Sequence, residues 1–125
     1  FGLAAKAIAV QESGTLDLHG APRVSWTRLD ATAPAGATTL TLERAVDWQP
    51  GDRIVVTASD FDPTQYDEAT IAAVNGRTVT LGAPLRFRHY GERQTIAGRT
   101  LDERAEVGLL SRNVVVRGDD ACATT

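Results

Sequence analysis

An all-β fold is what this 125-residue sequence predicts, on three observations. A Pro50-Gly51-Asp52 corner delivers the chain straight into the β-branched run Ile54-Val55-Val56. Pro50 fixes φ, Gly51 can take the positive φ of a type II corner, and Asp52 can bond back to the local backbone. Short extended segments bent by glycine recur at Ser13-Gly14, Ala97-Gly98 and Arg117-Gly118, with little helical periodicity between them. Finally, Asn75-Gly76 separates two β-rich runs, and this dipeptide suits a type I′ hairpin with positive φ at both central positions.

Taken in order, residues 5–10 and 15–19 read as two short strands joined at 11–14, with Leu16 and Leu18 on one face of the second. Their spacing suits either a hairpin or one rung of a coiled parallel sheet. Residues 24–29 form a strand in which Val24, Trp26 and Arg28 alternate against Ser25, Thr27 and Leu29. A loop at 31–36 leads to a strand at 38–43 with Leu40 and Leu42 on one face. The Trp48 corner feeds a strand at 53–58, and an acidic loop at 59–67 follows. A hairpin over 68–81 turns at Asn75-Gly76. Residues 85–89 are a short extended piece, 91–100 a polar hairpin around Ala97-Gly98, and 101–105 one helical turn. Segments 106–110 and 113–117 close the chain. Both tryptophans are expected in the core, Trp48 as the plug beneath its corner.

Hydrophobic content of 42%, charged content of 23% and a mean hydropathy of -0.17 place the chain among globular proteins with one core. The longest apolar runs are strand-sized, far short of the roughly 20 residues of a spanning helix, so no membrane insertion is expected. A net charge of -3 gives no electrostatic reason to approach nucleic acid. The chain holds no Met and begins at Phe1, which points to a piece of a longer protein whose targeting signals lie elsewhere. The one cysteine, Cys122, closes no disulfide within the chain. Lys6 is the only lysine, a bias that reads as a GC-rich bacterial genome rather than a guanidinium-specific site.

His19 and His89 stand far apart with no third ligand at metal spacing, so neither a metal nor a cofactor is expected. The loop holding Asp60, Asp62, Asp67 and Glu68 is rich in oxygen donors of the kind that bind calcium. It lacks the glycine and terminal glutamate of an EF-hand, so a solvated acidic turn is the stronger reading. Ser13, Ser25, Ser59 and Ser111 carry no nucleophile elbow, and the glycines are scattered one per turn rather than gathered into a phosphate loop. The candidate ligand-binding residues are therefore Asp60, Phe61, Asp62, Tyr66, Asp67 and Glu68, with the two rings offering a stacking platform and the carboxylates hydrogen bonding. No catalytic residue is assigned.

Five blocks in order, residues 14–20 (GTLDLHG), 26–29 (WTRL), 46–52 (VDWQPGD), 84–89 (PLRFRH) and 105–118 (AEVGLLSRNVVVRG), resemble one stretch of the G8-domain proteins. That family includes fibrocystin-like receptors and the cell-surface and cell-migration-inducing hyaluronidases, with bacterial relatives. The resemblance implies an extracellular fragment of a right-handed parallel β-helix carrying a compact antiparallel, barrel-like β insertion. On that expectation residues 1–20 end a glycine-rich β-helical module, 21–112 are the insertion, 113–118 are a return strand and 119–125 a polar tail. It further implies a non-catalytic structural module, or one binding a glycan or an extracellular protein, packed beside the rest of the parent β-helix. The alternative is a part of a hyaluronidase-like enzyme whose site lies mostly elsewhere, with Asp60, Asp62, Asp67 or Glu68 assisting. Any private specificity is expected in the acidic loop and in residues 99–104.

Overall fold

The computed structural model describes residues 8–111 and 113–116. The chain divides into two compact units, Pro22–Ser111 on one hand and Phe1–Ala21 with Arg112–Thr125 on the other. No helix occurs among the described residues, in agreement with the all-β prediction.

The larger unit holds eight strands: β1 Trp26–Arg28, β2 Thr39–Thr41, β3 Arg53–Val56, β4 Asp67–Asn75, β5 Thr78–Leu81, β6 Arg93–Ile96, β7 Arg99–Asp102 and β8 Glu106–Leu109. Six form one sheet in the order β1-β8-β3-β4-β5-β2, while β6 and β7 pair only with each other. A bridge between Leu29 and Leu42 joins chain next to the two outer strands, so the sheet curls into a half-barrel. Its concave side collects Leu29, Leu40, Leu42, Ile54, Val56, Ile71, Val79, Val107 and Trp48. The period-2 patterns of the strands dictate this: β3, β5 and β8 each alternate outward and inward residues and contribute every second one to the core.

The corners follow their residue types. Gly51 has φ +90°, and the Asp52 amide donates to the Gln49 carbonyl at 3.0 Å, closing the predicted type II turn. Trp48 is buried beside it and donates from Nε1 to the Val24 carbonyl at 2.6 Å. The 75–78 hairpin forms, but its turn differs from the type I′ expectation. Asn75 already pairs with Thr78, so Gly76-Arg77 are the central residues, and positive φ falls on Gly76 alone, as in type II′. The type I′ pattern occurs instead at Ala97-Gly98, where φ is +51° and +75°.

Other expectations are corrected. Residues 101–105 form no helical turn, because Leu101 and Asp102 pair with β6 and the chain then runs extended into β8. Trp26 is 46% exposed: Thr27 takes the inward position of β1, which turns its neighbours Trp26 and Arg28 outward. All described strand pairings are antiparallel, the arrangement expected for the insertion over residues 21–112. In the smaller unit, described residues 8–21 and 113–116 carry no strand; the expected strands at 5–10 and 113–118 extend beyond them. There Gly20 packs against Asn113, whose Nδ2 donates to the Ala21 carbonyl at 2.7 Å.

Two polar clusters hold the larger unit together. Asp67 is buried at the start of β4 and accepts from Arg86 Nε at 2.9 Å, from the amides of Arg86 and Phe87 at 3.1 and 3.0 Å, and faces His89 Nε2 at 2.9 Å. His89 is fully buried, and its Nδ1 faces the Thr57 carbonyl at 2.9 Å. Burial alone would push the Asp67 carboxyl up; the hydrogen bonds from His89, Arg86 and Phe87 outweigh it and hold it below the usual carboxylate range. The second cluster surrounds Arg104, whose buried guanidinium grips both oxygens of Asp102 at 2.7 and 2.8 Å, Glu43 at 2.8 Å and the Leu29 carbonyl at 3.1 Å. These contacts depress the acids Asp102 and Glu43.

Asp67→Ala leaves the buried His89 ring without its partner, and the expected loss is about 3–5 kcal/mol of unfolding free energy in urea denaturation. Because Asp67, Glu43 and Asp52 all have depressed folded values, their stabilisation is complete above the unfolded carboxylate range near pH 4 and is lost as pH falls below it. Urea midpoints should therefore be level from pH 7 to about 5 and drop steeply towards pH 3. Gly91→Ala places a Cβ within 2.2 Å of the Ala31 carbonyl oxygen, backbone that cannot swing aside. A loss of about 1–3 kcal/mol or more is expected in the same measurement.

Candidate functional site

The hydrogen bonds that fix Asp67 and His89 also shape a surface cleft. Thr57, at the end of β3, and Asp67, at the start of β4, are both tied to His89, so the loop between them is clamped at its two ends. Within the loop, Asp62 Oδ1 accepts from the Thr64 amide at 2.9 Å and from its hydroxyl at 2.6 Å, an Asx turn that draws the exposed Asp62 carboxyl below its usual range. Asp60 accepts from the Phe61 amide at 2.7 Å. The Tyr90 amide donates to Ser59 Oγ at 2.8 Å, fastening the loop to the segment that follows His89.

The resulting cleft has a volume of about 620 Å³ and is lined by Ser59, Asp60, Phe61, Gln65, Arg88, Tyr90, Gln94 and Glu103. Its size falls within the usual range of small-ligand sites. Three parts of the chain meet there: the acidic loop, the 88–90 segment, and the β6–β7 hairpin with the residue just beyond it. Phe61 stands fully exposed, an uncovered ring for which the core has no use. Arg88 lies over the Tyr90 ring at 5.7 Å and has no carboxylate partner among the described residues. Gln65 and Gln94 each bring a donor and an acceptor to the walls.

Of the six residues singled out in the sequence, the structure brings Asp60 and Phe61 into this cleft. Asp62 is spent on its own turn, and Tyr66 is partly exposed with its carbonyl bonded to Arg86 Nη2 at 3.0 Å. Asp67 is not presented to a ligand: it is 3% exposed and its oxygens are occupied by internal donors. Glu68, one position on, takes the opposite face of β4 and pairs with Arg53. Strand alternation thus scatters the acidic run that reads as one cluster in the sequence. Among the described residues no three His, Cys, Asp or Glu side chains converge as metal ligands, and no helix is long and apolar enough to cross a membrane.

Arg88, Tyr90 and Gln94 line the cleft without having been singled out in the sequence, whereas Glu103 falls within the 99–104 segment expected to carry specificity. The available signal is the alternation of cation and ring along Arg86-Phe87-Arg88-His89-Tyr90, in which the buried His89 orients its neighbours outward. Gln94 and Glu103 leave no local mark, because only the folding back of β6–β7 brings them to the loop.

No family model matches the chain. It is 48% identical over 122 residues to human fibrocystin-L, a match covering 93% of this chain and 3% of that protein. Dog fibrocystin is 39% identical over 111 residues, covering 87% and 3%. A G8 domain-containing protein of Dictyostelium discoideum is 33% identical over 124 residues, covering 96% and 10%. The chain therefore spans a few per cent of the length of the fibrocystins it matches. Among solved structures, the tailspike gp61 of Pseudomonas phage phi297 aligns with a TM-score of 0.51 at 23% identity, over 69% of this chain and 14% of that one. The gp54 tailspike of Acinetobacter baumannii phage AP22, solved in complex with a capsular saccharide, aligns at 0.52 with 14% identity, over 70% and 15%. These structural likenesses concern the fold alone. The sequence likenesses, spread over nearly all of the chain, support reading it as a G8 domain.

Proposed function

We propose that the chain is a non-catalytic, glycan-binding module of a larger extracellular protein, and that a saccharide occupies the cleft between Phe61, Arg88, Tyr90 and Gln94. The observation that carries this reading is the fully exposed Phe61 on a cleft that also offers the Tyr90 ring, an unpaired guanidinium and two amides. A sugar presents apolar C–H faces to rings and hydroxyls to amides and charged groups, which is the combination found here. The saccharide in the AP22 tailspike complex, a protein of related fold, adds weight to the ligand class. On this reading the chain comes from a bacterial source and sits outside the cell beside the rest of a β-helical parent, in keeping with the G8-domain resemblance.

The second reading, a contribution to a polysaccharide-degrading and hyaluronidase-like site, is favoured by one observation: Asp60 and Glu103 line the same cleft. Glycoside hydrolysis needs two carboxyl groups facing each other across the scissile bond, at separations of roughly 5 to 9.5 Å.

Calorimetric titration of the chain with hyaluronan and with a bacterial capsular polysaccharide tests both readings. Binding is expected without release of oligosaccharides, and Tyr90→Ala or Arg88→Ala should weaken it about tenfold, the loss of roughly 1.4 kcal/mol, with an unchanged melting temperature. Oligosaccharide release that disappears in Glu103→Gln would replace binding by catalysis. Failure of every saccharide to bind would remove the cleft reading.

A further inference from the structure

We propose that the saccharide of the cleft is an extended chain, and that beyond Gln94 it runs along one face of the β6–β7 hairpin, where Leu101 and Ile96 bind it. The inference rests on the cleft reading and adds residues to it. Strand pairing sorts the hairpin into two faces. Gln94 lies opposite Leu101 and Ile96 opposite Arg99, and partners across an antiparallel pair share a face. These four therefore stand together, while Arg93, Thr95, Thr100 and Asp102 stand on the other side. Just past β7, Arg104 reaches back to Asp102 on that other side, so Glu103 between them falls on the face of Gln94 and Leu101.

The two faces have different surroundings. One is committed to the protein itself, since Arg93 pairs with Glu43 at 3.0 Å and Asp102 with Arg104 at 2.7 Å. The other belongs to the cleft, which Gln94 and Glu103 both line. Leu101 is directly across from Gln94 and next to Glu103 along the same face, so it borders the cleft wall. One step further out come Ile96 and Arg99. Leu101 is 42% exposed and Ile96 54%, and neither packs against the core. At about 3.4 Å per residue, the face carries the cleft wall about 14 Å outward from Glu103 to Arg99.

Continuity and size decide the occupant. A ligand confined to the cleft leaves two aliphatic side chains wet on the strip that adjoins it. A chain that continues over them covers both, and apolar contact beside a few polar groups is the ordinary make-up of a ligand site. Sugar C–H faces supply the apolar surface, while Gln94 at one level and Arg99 at the next have N–H donors for hydroxyl or carboxylate oxygens. Two strands at roughly 4.8 Å each make the strip about 10 Å wide, hence on the order of 140 Å² in area. A stable protein interface takes about 800 Å² from each partner, far more than this strip provides. A single extended saccharide chain fits it.

Calorimetric titration of the full chain with tetrasaccharide and decasaccharide fragments of hyaluronan and of a bacterial capsular polysaccharide tests this. For the polymer that binds, the decasaccharide should bind about tenfold more tightly than the tetrasaccharide. The double variant Ile96→Thr with Leu101→Thr keeps strand propensity. It should remove that advantage while the tetrasaccharide affinity and the melting temperature stay unchanged. Thr95→Val with Thr100→Val alters the opposite face and should preserve the advantage. Tyr90→Ala, in the cleft, should weaken both fragments about equally. Equal affinity for the two fragments, or a length advantage that survives the Ile96 and Leu101 double variant, overturns the inference and leaves the cleft reading standing. Absence of binding by every fragment overturns both. Self-association of the parent chain that the same double variant abolishes, with no effect of saccharide length, would assign the face to protein contact and overturn the inference too.

Discussion

The carboxylate of Asp67 is the point on which the larger unit depends. It sits at the first residue of β4, inside the half-barrel, and it is the common acceptor for a side chain and two amides from the 86–87 segment and for the ring of His89. Through His89 the same charge reaches the Thr57 carbonyl at the end of β3. Three stretches far apart in sequence are thereby fixed to one polar anchor. A buried carboxylate is tolerated only when donors replace the water it loses, and here they do.

The cleft is a by-product of that arrangement. Residues on either side of a buried anchor in an extended segment point the other way, so holding His89 inside turns Arg88 and Tyr90 out. Clamping positions 57 and 67 forces the intervening loop to arch, which lifts Phe61 into solvent instead of folding it back onto the core. The rigid sheet and the polar anchor thus place rings and amides where a ligand can meet them, and the loop's own Asx turn keeps its shape.

Local chemistry was legible in the sequence wherever one residue type dictates a backbone conformation. Pro50-Gly51 made its type II corner, the alternation in 38–43 gave a strand with Leu40 and Leu42 inward, and the β-branched run after the corner gave β3. Reading failed where the answer depends on which strand lies beside which. The Trp26 ring looks like core material until β8 is placed next to β1, when Thr27 claims the inner row. The run Asp60 to Glu68 looks like one acidic site until pairing with β3 sends Asp67 inward and Glu68 outward. The 75–78 turn shows a finer version of the same limit: a one-residue shift in pairing changed its type while leaving its glycine essential. Arg104, isolated in sequence from Glu43 and Leu29, gave no hint that it would be the second buried anchor.

That second anchor gives the β6–β7 arm an independence the other strands lack. All eight of its strand residues are exposed, and the arm is tied to the body at its base, through Arg93 to Glu43 and through Asp102 to Arg104. Because nothing along its length is embedded, evolution can rewrite the arm from position 94 to position 101 and alter one wall of the cleft at little thermodynamic risk. Grafting foreign hairpins between those two ionic hinges would turn the half-barrel into a chassis with an exchangeable recognition finger.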